Sequence, residues 1–313
     1  MHHFDYRDGV LHAEDVSLER IAREVGTPVY VYSAATLERH YTLFAEAVGA
    51  PRHKVFYAMK ANGNLAVMAT LARLGAGIDT VSEGEIRKAR AAGVPAERIV
   101  FSGVGKSRRE LAFAVGEGIY QVNIETESEL DMLDLVAQAA GKRQAAVFRV
   151  NPDVGDGGNA DITTGSDANK FGVSFADIPR LYARAATLPG VRMLGLAVHI
   201  GSLIDRIDSL EAAFKRMAEL VVALRQAGHH VERVDLGGGL AIPYRMSEPF
   251  EHGPDLIHEY ARMVERVIGP LGVEHGFEPG RIIVGNAGVL LSEVLHLNKR
   301  RTKTFAVLDA AMN

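Results

Sequence analysis

One stretch of the sequence combines a strand pattern with a candidate reactive residue: Val55-Phe56-Tyr57-Ala58-Met59-Lys60-Ala61-Asn62. It is a short apolar run of β-forming residues, which predicts a buried strand that delivers Lys60 at its C-terminal tip. An amine there is partly desolvated, which disfavours the ammonium form and leaves a nucleophile that can condense with an aldehyde. Taken alone, the octapeptide favours a strand-end lysine that points into water, so the rest of the chain has to decide.

Strands and helices alternate along the chain from this point. Further strands are predicted at 77–81, 98–101, 120–124, 145–150, 193–200, 231–236 and 276–284, and helices at 64–74, 83–92, 108–116, 127–140, 176–188, 209–227 and 254–271. Eight such units with short connections indicate a (β/α)8 barrel, whose active site lies at the C-terminal ends of the strands. A doubly wound open sheet is the competing fold, but the glycine fingerprint of a dinucleotide site is missing after the first strand.

Composition excludes several classes of function. The chain has 313 residues, a formal net charge of -4 and no cysteine, so disulfides and thiolate metal sites are excluded and we predict no metal. Both signs of charge are interspersed, which gives no footprint for nucleic acid. Met1 to Glu14 carries charges where a secretory signal needs an apolar centre, and no apolar run approaches about 18 residues. We therefore expect a cytoplasmic protein that acts on a small polar metabolite, with no membrane partner.

Two loops at predicted strand ends suit a phosphate. Gly237-Gly238-Gly239 lets backbone N–H groups approach an anion closely, and Gly280-Arg281 adds a second such loop with a guanidinium. A bare triple glycine is more often a flexible turn, and the signal gains strength from its neighbour. Ser202 adds a hydroxyl, or is an ordinary loop serine.

Four further positions suit pyridoxal phosphate as the aldehyde. Glu278, before Pro279, is placed to keep the pyridine nitrogen protonated, which makes the ring an electron sink for carbanion chemistry at the substrate Cα. His199 offers a flat imidazole for stacking on the ring, although a lone histidine is more often a core residue. Asp79 and Arg149 are expected to pair across the barrel mouth and restrain Lys60 and His199, or to form a structural ion pair.

Four ordered motifs resemble those of the alanine-racemase-fold pyridoxal phosphate decarboxylases, also called fold type III: Tyr57-Ala58-Met59-Lys60-Ala61-Asn62, His199-Ile200-Gly201-Ser202, Asp235-Leu236-Gly237-Gly238-Gly239 and Glu278-Pro279-Gly280-Arg281. More narrowly, both chain ends resemble those of the bacterial diaminopimelate decarboxylases. The segments that carry this likeness are Phe4-Asp5-Tyr6-Arg7-Asp8-Gly9, Leu11-His12-Ala13-Glu14-Asp15-Val16, Val284-Gly285-Asn286-Ala287-Gly288 and Asp309-Ala310-Ala311-Met312-Asn313.

This resemblance implies decarboxylation of meso-2,6-diaminopimelate to L-lysine and carbon dioxide. It implies that Lys60 bonds the cofactor, that Glu278 holds the pyridine nitrogen and that His199 stacks on the ring. Ser202, the glycine loop and Gly280-Arg281 then serve the phosphate, and Arg281 also reaches a substrate carboxylate. It further implies a head-to-tail homodimer with shared active sites. The expected domains are 1–36 and 291–313, as parts of a β-domain, around a cofactor-binding barrel at 37–290.

The sequence departs from this family at three places. Leu203 stands where the family usually has glutamine, and Asn159 and Asp161 stand at usual basic and histidine positions of a loop that helps to choose the substrate. Family members also continue for roughly another hundred residues, a domain-sized piece that supplies a cysteine, a glutamate and a tyrosine to the sites. We therefore expect a C-terminally truncated chain with a partial β-domain, weak cofactor binding and impaired turnover.

Two other functions stay open at this point. One is a sibling decarboxylase for ornithine, arginine, lysine or a carboxylated polyamine. The other is a non-catalytic pyridoxal-binding barrel. Retention of Lys60, Glu278 and His199 argues against the latter, and the missing C-terminal part argues for it.

Overall fold

The first elements of the fold lie outside the barrel. The computed structural model describes residues 3–50, 53–154, 170–244 and 255–311. Three short antiparallel strands come first: β1 (Phe4–Arg7), β2 (Val10–Ala13) and β3 (Val16–Ser17). They are followed by α1 (Leu18–Val25) and β4 (Val29–Tyr32). The next helix, α2 (Ala34–Ala47), packs on the barrel, because its buried Phe44 contacts Phe277 of the barrel core.

Eight parallel strands form a closed ring. The sheet strands are β5 (Lys54–Ala58), β6 (Gly77–Thr80), β7 (Ile99–Phe101), β8 (Gln121–Ile124), β9 (Gln144–Asn151), β10 (Val173–Ser174), β11 (Val191–Val198), β12 (Arg233–Asp235) and β13 (Glu274–Phe277). The order runs β5-β6-β7-β8-β9-β11-β12-β13 and returns to β5, while β10 pairs only with the end of β9. The predicted (β/α)8 barrel is therefore confirmed, and the open sheet is excluded because β13 pairs with β5.

Helices follow the strands and cover the ring. They are α3 (Leu65–Arg73), α4 (Glu83–Ala91), α5 (Arg108–Glu117), α6 (Glu127–Ala139), α7 (Ile178–Ala185), α8 (Ile207–Gln226), α9 (Asp255–Val267) and the short α10 (Arg281–Val284). Side-chain caps start the six helices from α1 to α6, because a hydroxyl or amide oxygen accepts a hydrogen bond from an otherwise unpaired N–H of the first turn. These caps are Ser17, Ser33, Asn64, Ser82, Ser107 and Thr126.

The core lies between the ring and its helices and continues into the ring. All residues of β6, β7 and β8 are buried, as expected for parallel strands that are covered on both faces. Several buried positions at the strand ends are polar, including Asp79, Asn123 and Asp235. Burying such groups is unfavourable without partners, so these positions mark the end of the barrel where chemistry is expected.

Three predicted elements have a wrong boundary near a proline. The strand predicted at 276–284 ends at Phe277, because Pro279 cannot donate to the ladder, and the apolar run after it forms α10. The helix predicted at 176–188 begins only at Ile178, which places Pro179 in its first turn, and it ends at Ala185. The helix predicted at 254–271 ends at Val267, before a separate short turn that contains Pro270.

The two chain ends meet in small extra sheets. β14 (Gly288–Leu291) pairs antiparallel with β4, so a segment after the barrel lies beside a segment before it. β15 (Val294–Lys299) and β16 (Thr304–Leu308) form an exposed two-stranded ribbon. The predicted boundaries at 36/37 and 290/291 stay a prediction. Among the residues that are described, no helix is both long and apolar enough to cross a membrane.

Candidate active site

A cavity of about 510 Å³ opens at the C-terminal ends of the barrel strands. Its volume lies within the range of small-molecule sites. Ten predicted residues line it: Lys60, His199, Ser202, Gly237, Gly238, Gly239, Glu278, Pro279, Gly280 and Arg281. The structure therefore brings together residues that are more than two hundred positions apart in the sequence.

Lys60 and Asp79 meet at the ends of neighbouring strands. Lys60 lies in a short 3₁₀ turn, Met59–Ala61, directly after β5, and its Nζ is 3.6 Å from Asp79 Oδ2. The lysine side chain is 52% exposed and that of Asp79 only 1%. Desolvation therefore falls on the carboxylate rather than on the amine, because the turn carries Lys60 beyond the strand and into the open cavity.

The expected pairing of Arg149 with Asp79 was wrong. Arg149 Nη1 donates to Glu125 Oε1 at 3.1 Å, and both side chains are largely buried. Neither oxygen of Asp79 accepts a hydrogen bond from any residue that the structure describes. The two predicted partners thus belong to different pairs, Asp79 with Lys60 and Arg149 with Glu125.

His199 follows β11 and is oriented by the glycine loop. The backbone N–H of Gly238 donates to His199 Nδ1 at 3.2 Å, so Nδ1 is the acceptor and the ring proton of the neutral form sits on Nε2. Burial, followed by the charges of Lys60 and Arg149, holds the pKa of His199 well below its usual value. The imidazole is therefore neutral and fixed in orientation.

The two predicted anion loops lie against each other. Glu278 N–H donates to Gly237 O at 2.7 Å, and Ala58 N–H donates to Pro279 O at 3.0 Å, which connects both loops to the lysine strand. A Cβ on Gly238 would lie 2.2 Å from the carbonyl oxygen of Glu278. Gly237 and Gly239 have φ values of +64° and +116°, which side chains rarely adopt. The glycines are thus required both by backbone conformation and by close approach.

Arg281 lies at the rim with two hydroxyl groups. Its Nη1 donates to Tyr244 Oη, and its Nη2 is 3.4 Å from Ser202 Oγ. Leu203 follows with φ +60° and a side chain at the surface. A guanidinium beside two hydroxyls and a glycine loop is a suitable environment for a phosphate.

Glu278 lies on the inner wall of the cavity. Its Oε1 accepts from Asn123 Nδ2 at 3.1 Å and lies 3.5 Å from Ser102 Oγ. Burial, then the charges of Asp235 and Asp79, raises the pKa of Glu278 well above its usual value. Asp235 is buried as well, and burial together with Asp79 raises its pKa from 3.8 to about 6 although Gly237 N–H donates to it. The inner wall therefore holds three neighbouring carboxyl groups.

Sequence reasoning gave no role to three residues of this site. Tyr244 was missed because it follows no predicted strand. Asn123 and Ser102 lie at the ends of the strands predicted at 120–124 and 98–101, but nothing in the sequence shows that they face Glu278. The substrate-loop positions Asn159 and Asp161 lie outside the described residues.

Comparison with known proteins agrees with this geometry. Residues 34–285 match the pyridoxal binding domain of the pyridoxal-dependent decarboxylases. The fold and the site thus define the class, and the chain belongs to the pyridoxal-dependent decarboxylase family.

The relatives narrow the family further. The chain is 43% identical over 313 residues to the diaminopimelate decarboxylase of Zymomonas mobilis, and 45% identical over 311 residues to that of Pseudomonas fluorescens. It covers 74% of each relative, and 99% of this chain is covered in both cases. Within the larger family, it belongs with the diaminopimelate decarboxylases.

Solved structures show the same relationship. The diaminopimelate decarboxylase of Helicobacter pylori complexed with L-lysine superposes with a TM-score of 0.88 at 31% identity, covering 94% of this chain and 73% of that one. The enzyme from M. jannaschii in complex with L-lysine gives 0.89 at 30% identity, covering 98% and 73%. Both of these solved structures contain bound L-lysine.

The residues present fit the family's cofactor, pyridoxal 5′-phosphate. The cavity offers an amine at Lys60, a phosphate environment at the glycine loops and Arg281, and a carboxyl group at Glu278. Asp79 is a buried carboxylate whose oxygens accept no hydrogen bond within the described part of the chain, and it faces the same amine. Such a group is expected where a cationic centre is to be held.

Proposed function

We propose that this chain is a pyridoxal phosphate-dependent decarboxylase that converts meso-2,6-diaminopimelate to L-lysine and carbon dioxide. The observation that carries the proposal is the convergence of Lys60, Glu278 and the two glycine loops on one cavity. The substrate follows from the relatives, which are 38–45% identical diaminopimelate decarboxylases.

The cofactor, when bound, supplies an electron sink that stabilises the carbanion left at the substrate Cα after carbon dioxide departs. The residues of the chain provide its surroundings. Lys60 supplies the amine that attaches the cofactor aldehyde. Glu278 carries a carboxyl group with a raised pKa, suited to share a proton with a ring nitrogen. The two glycine loops and Arg281 bind an anionic phosphate at the rim.

His199 and Asp79 act on orientation and charge. The neutral His199 imidazole, held by Gly238 N–H, presents a flat ring without a competing positive charge. Asp79 provides the negative charge that keeps a cationic nitrogen at Lys60 in place. Arg281 is also the proposed contact for a substrate carboxylate, because a guanidinium binds carboxylates in a fork geometry.

The test is release of carbon dioxide from carboxyl-labelled substrates. Diaminopimelate, ornithine, arginine, lysine and a carboxylated polyamine are supplied separately with pyridoxal phosphate, and L-lysine is identified as the product. We expect release from diaminopimelate well above the others. Faster release from ornithine, arginine, lysine or the carboxylated polyamine would assign the sibling function. A visible absorbance band from cofactor bonded to Lys60, without release of carbon dioxide from any substrate, would assign a non-catalytic pyridoxal-binding barrel.

Lys60→Ala is the variant that tests the site. It removes the attaching amine, so both the visible band and the release of carbon dioxide should be lost. Lys142→Ala is the matched control, because Lys142 lies before β9, at the opposite end of the barrel, where it donates to the carbonyls of Val115 and Gly116. It should retain both signals.

The homodimer with shared active sites and the cytoplasmic location belong to the same proposal, by analogy with the family. Sedimentation measures the first and cell fractionation the second. The impaired turnover expected from the sequence stays a prediction.

A further inference from the structure

A buried network of charged side chains lies beside the site and has no part in the function described so far. Glu125 follows β8, and its side chain is completely buried. Its Oε1 accepts from Gly103 N–H at 2.8 Å and from Arg149 Nη1 at 3.1 Å, and its Oε2 accepts from Gly172 N–H at 3.2 Å. One carboxylate thus joins the loop after β7, the strand β9 and the approach to β10.

A second ion pair holds Glu125 in place. The backbone N–H of Glu125 donates to Glu129 Oε2 at 3.1 Å, and Glu129 Oε1 is 2.6 Å from Lys106 Nζ. Lys106, whose side chain is 0% exposed, also donates to the carbonyls of Gly103 and Asn123. The charges thus form two pairs, Glu125 with Arg149 and Glu129 with Lys106. Breaking either pair would leave an unpaired buried charge, which favours one fixed arrangement of the side chains.

Arg149 connects this network to the active site. A small cavity of about 20 Å³ behind the main one is lined by Arg149 together with Lys60, His199 and Glu278. The charge of Arg149 acts on both His199 and Glu278. The position and the neutralisation of this guanidinium therefore determine how much positive charge the site contains.

We propose that Glu125 is a positioning residue that fixes Arg149 beside Lys60, His199 and Glu278 and offsets its charge. The inference rests on cofactor binding at Lys60, as proposed above, but not on the identity of the substrate. Arg149 provides positive charge to the wall of the site, and Glu125 limits how strongly that charge acts on a cation at Lys60.

Among the described residues, the titratable and charged groups that face Lys60 come from five parts of the fold. They are Asp79 of β6, Glu85 of α4, Arg149 of β9, and His199 and Glu278 in the segments after β11 and β13. Glu125→Gln changes none of these groups but removes the charge that offsets Arg149. The cationic form of the nitrogen that links Lys60 to the cofactor would then be disfavoured. This nitrogen should therefore lose its proton at lower pH.

The experiment is a pH titration of the visible absorbance band of the holoenzyme. Glu125→Gln should move the midpoint down by about one pH unit. Glu125→Asp keeps the charge and should move it by less than half as much. The double variant Glu125→Gln/Arg149→Met removes both charges and should return the midpoint towards that of the wild type. Glu117→Gln, which loses a surface pair with Arg90, is the control and should not shift it.

These outcomes separate a role in charge from a role in folding alone. A purely structural role would lower thermal stability without moving the midpoint, and a folded Glu125→Gln with an unshifted midpoint would overturn the inference. If Glu125→Gln does not fold, Arg149→Met is the test variant. It leaves the negative charge of Glu125 uncompensated, so the midpoint of the titration should move up. An unchanged or lowered midpoint would overturn the inference. A wild-type protein without any visible band would instead overturn the proposed function.

Discussion

Asp79 Oδ2 lies 3.6 Å from Lys60 Nζ, with the carboxylate buried and the lysine half exposed. A buried carboxylate whose oxygens accept no hydrogen bond within the described residues is costly for folding. That cost is understandable if the charge serves the cationic nitrogen at Lys60, because active sites commonly keep groups that destabilise the free protein.

Asp79→Asn should therefore separate stability from activity. The amide has the same shape but no charge to desolvate, so the cofactor-free protein should become more stable by about 1 kcal/mol. The rate of decarboxylation should fall at least about tenfold, a loss of about 1.4 kcal/mol of transition-state stabilisation. Urea unfolding and steady-state kinetics measure the two effects.

The matched control for this variant is Asp134→Asn. Asp134 is also buried, but its Oδ1 accepts from Gly190 N–H at 2.7 Å and its Oδ2 from Gln138 at 2.6 Å. Loss of these charged hydrogen bonds should destabilise the protein by about 1–3 kcal/mol and leave kcat unchanged. Equal destabilisation by both variants would contradict the role given to Asp79.

Gly238→Ala should damage the phosphate environment directly. The added Cβ would lie 2.2 Å from the Glu278 carbonyl oxygen and 3.0 Å from its carbonyl carbon, so one of the two loops must move. Since both are backbone, no side-chain rotation relieves the overlap, and we expect a loss of about 1–3 kcal/mol in stability. Cofactor affinity, measured by absorbance titration, should fall more than tenfold.

Gly116→Ala provides the comparison at a glycine with open space. It lies within α5, a Cβ there meets nothing within 4 Å, and alanine is the better helix former by about 1 kcal/mol. This variant should be neutral or stabilising with unchanged cofactor affinity. If Gly238→Ala is also neutral or stabilising with unchanged cofactor affinity, the close packing of the two loops does not require glycine at this position.

The barrel and most of its site could be predicted because both depend on local patterns. Alternating apolar strands and capped helices specify the order of elements, and the barrel rule places strand-end residues such as Lys60, His199 and Glu278 at one rim. Which side chains then pair is decided by distances across the barrel that no local pattern contains. The partner of Arg149 was therefore mistaken, since Glu125 and Asp79 are both acidic residues at strand ends.

The predicted element boundaries were wrong where the local sequence favours two different structures. Residues 282–284 are Ile-Ile-Val, which favours a strand, yet Pro279 and Gly280 redirect the chain and the segment forms α10. The β-propensity of branched residues depends on a neighbouring strand to pair with, and here β13 has already ended. Tertiary context thus overrode the propensity of these three residues.

Glu278→Gln should keep the cofactor attached but slow the reaction. Lys60 is unchanged, so the visible band should remain. The amide cannot share a proton with a ring nitrogen as the carboxyl group does, and the electron sink is weakened. We expect kcat to fall by roughly 100-fold or more, about 2.7 kcal/mol, with a small change in cofactor affinity. Loss of the band with normal folding would show instead that Glu278 serves cofactor retention.

Two of the inner carboxyl groups, Asp235 and Glu278, also predict how the stability of the cofactor-free protein depends on pH. Burial raises the pKa of Asp235 from 3.8 to about 6, and that of Glu278 well above 4.5, so the folded state holds protons that the unfolded chain has released. The stabilisation is complete below the unfolded values and is lost as the pH rises through the folded ones. Each group contributes a slope of up to about 1.4 kcal/mol per pH unit in its window.

Asp235→Asn should flatten the decline in the free energy of unfolding between pH 4 and 6, which is the window set by its two pKa values. Glu278→Gln should flatten the decline at higher pH. Glu127→Gln is the control, because hydrogen bonds from Arg180 and Arg184 lower the pKa of Glu127 to about 2, so its contribution is lost only in acid. It should leave the slope between pH 5 and 8 unchanged. The measurement is urea unfolding of the wild type and the three variants at a series of pH values. If the free energy of unfolding has the same slope against pH in all four proteins, Asp235 and Glu278 are ionised in the folded state. The proton-sharing role of Glu278 would then lose its basis.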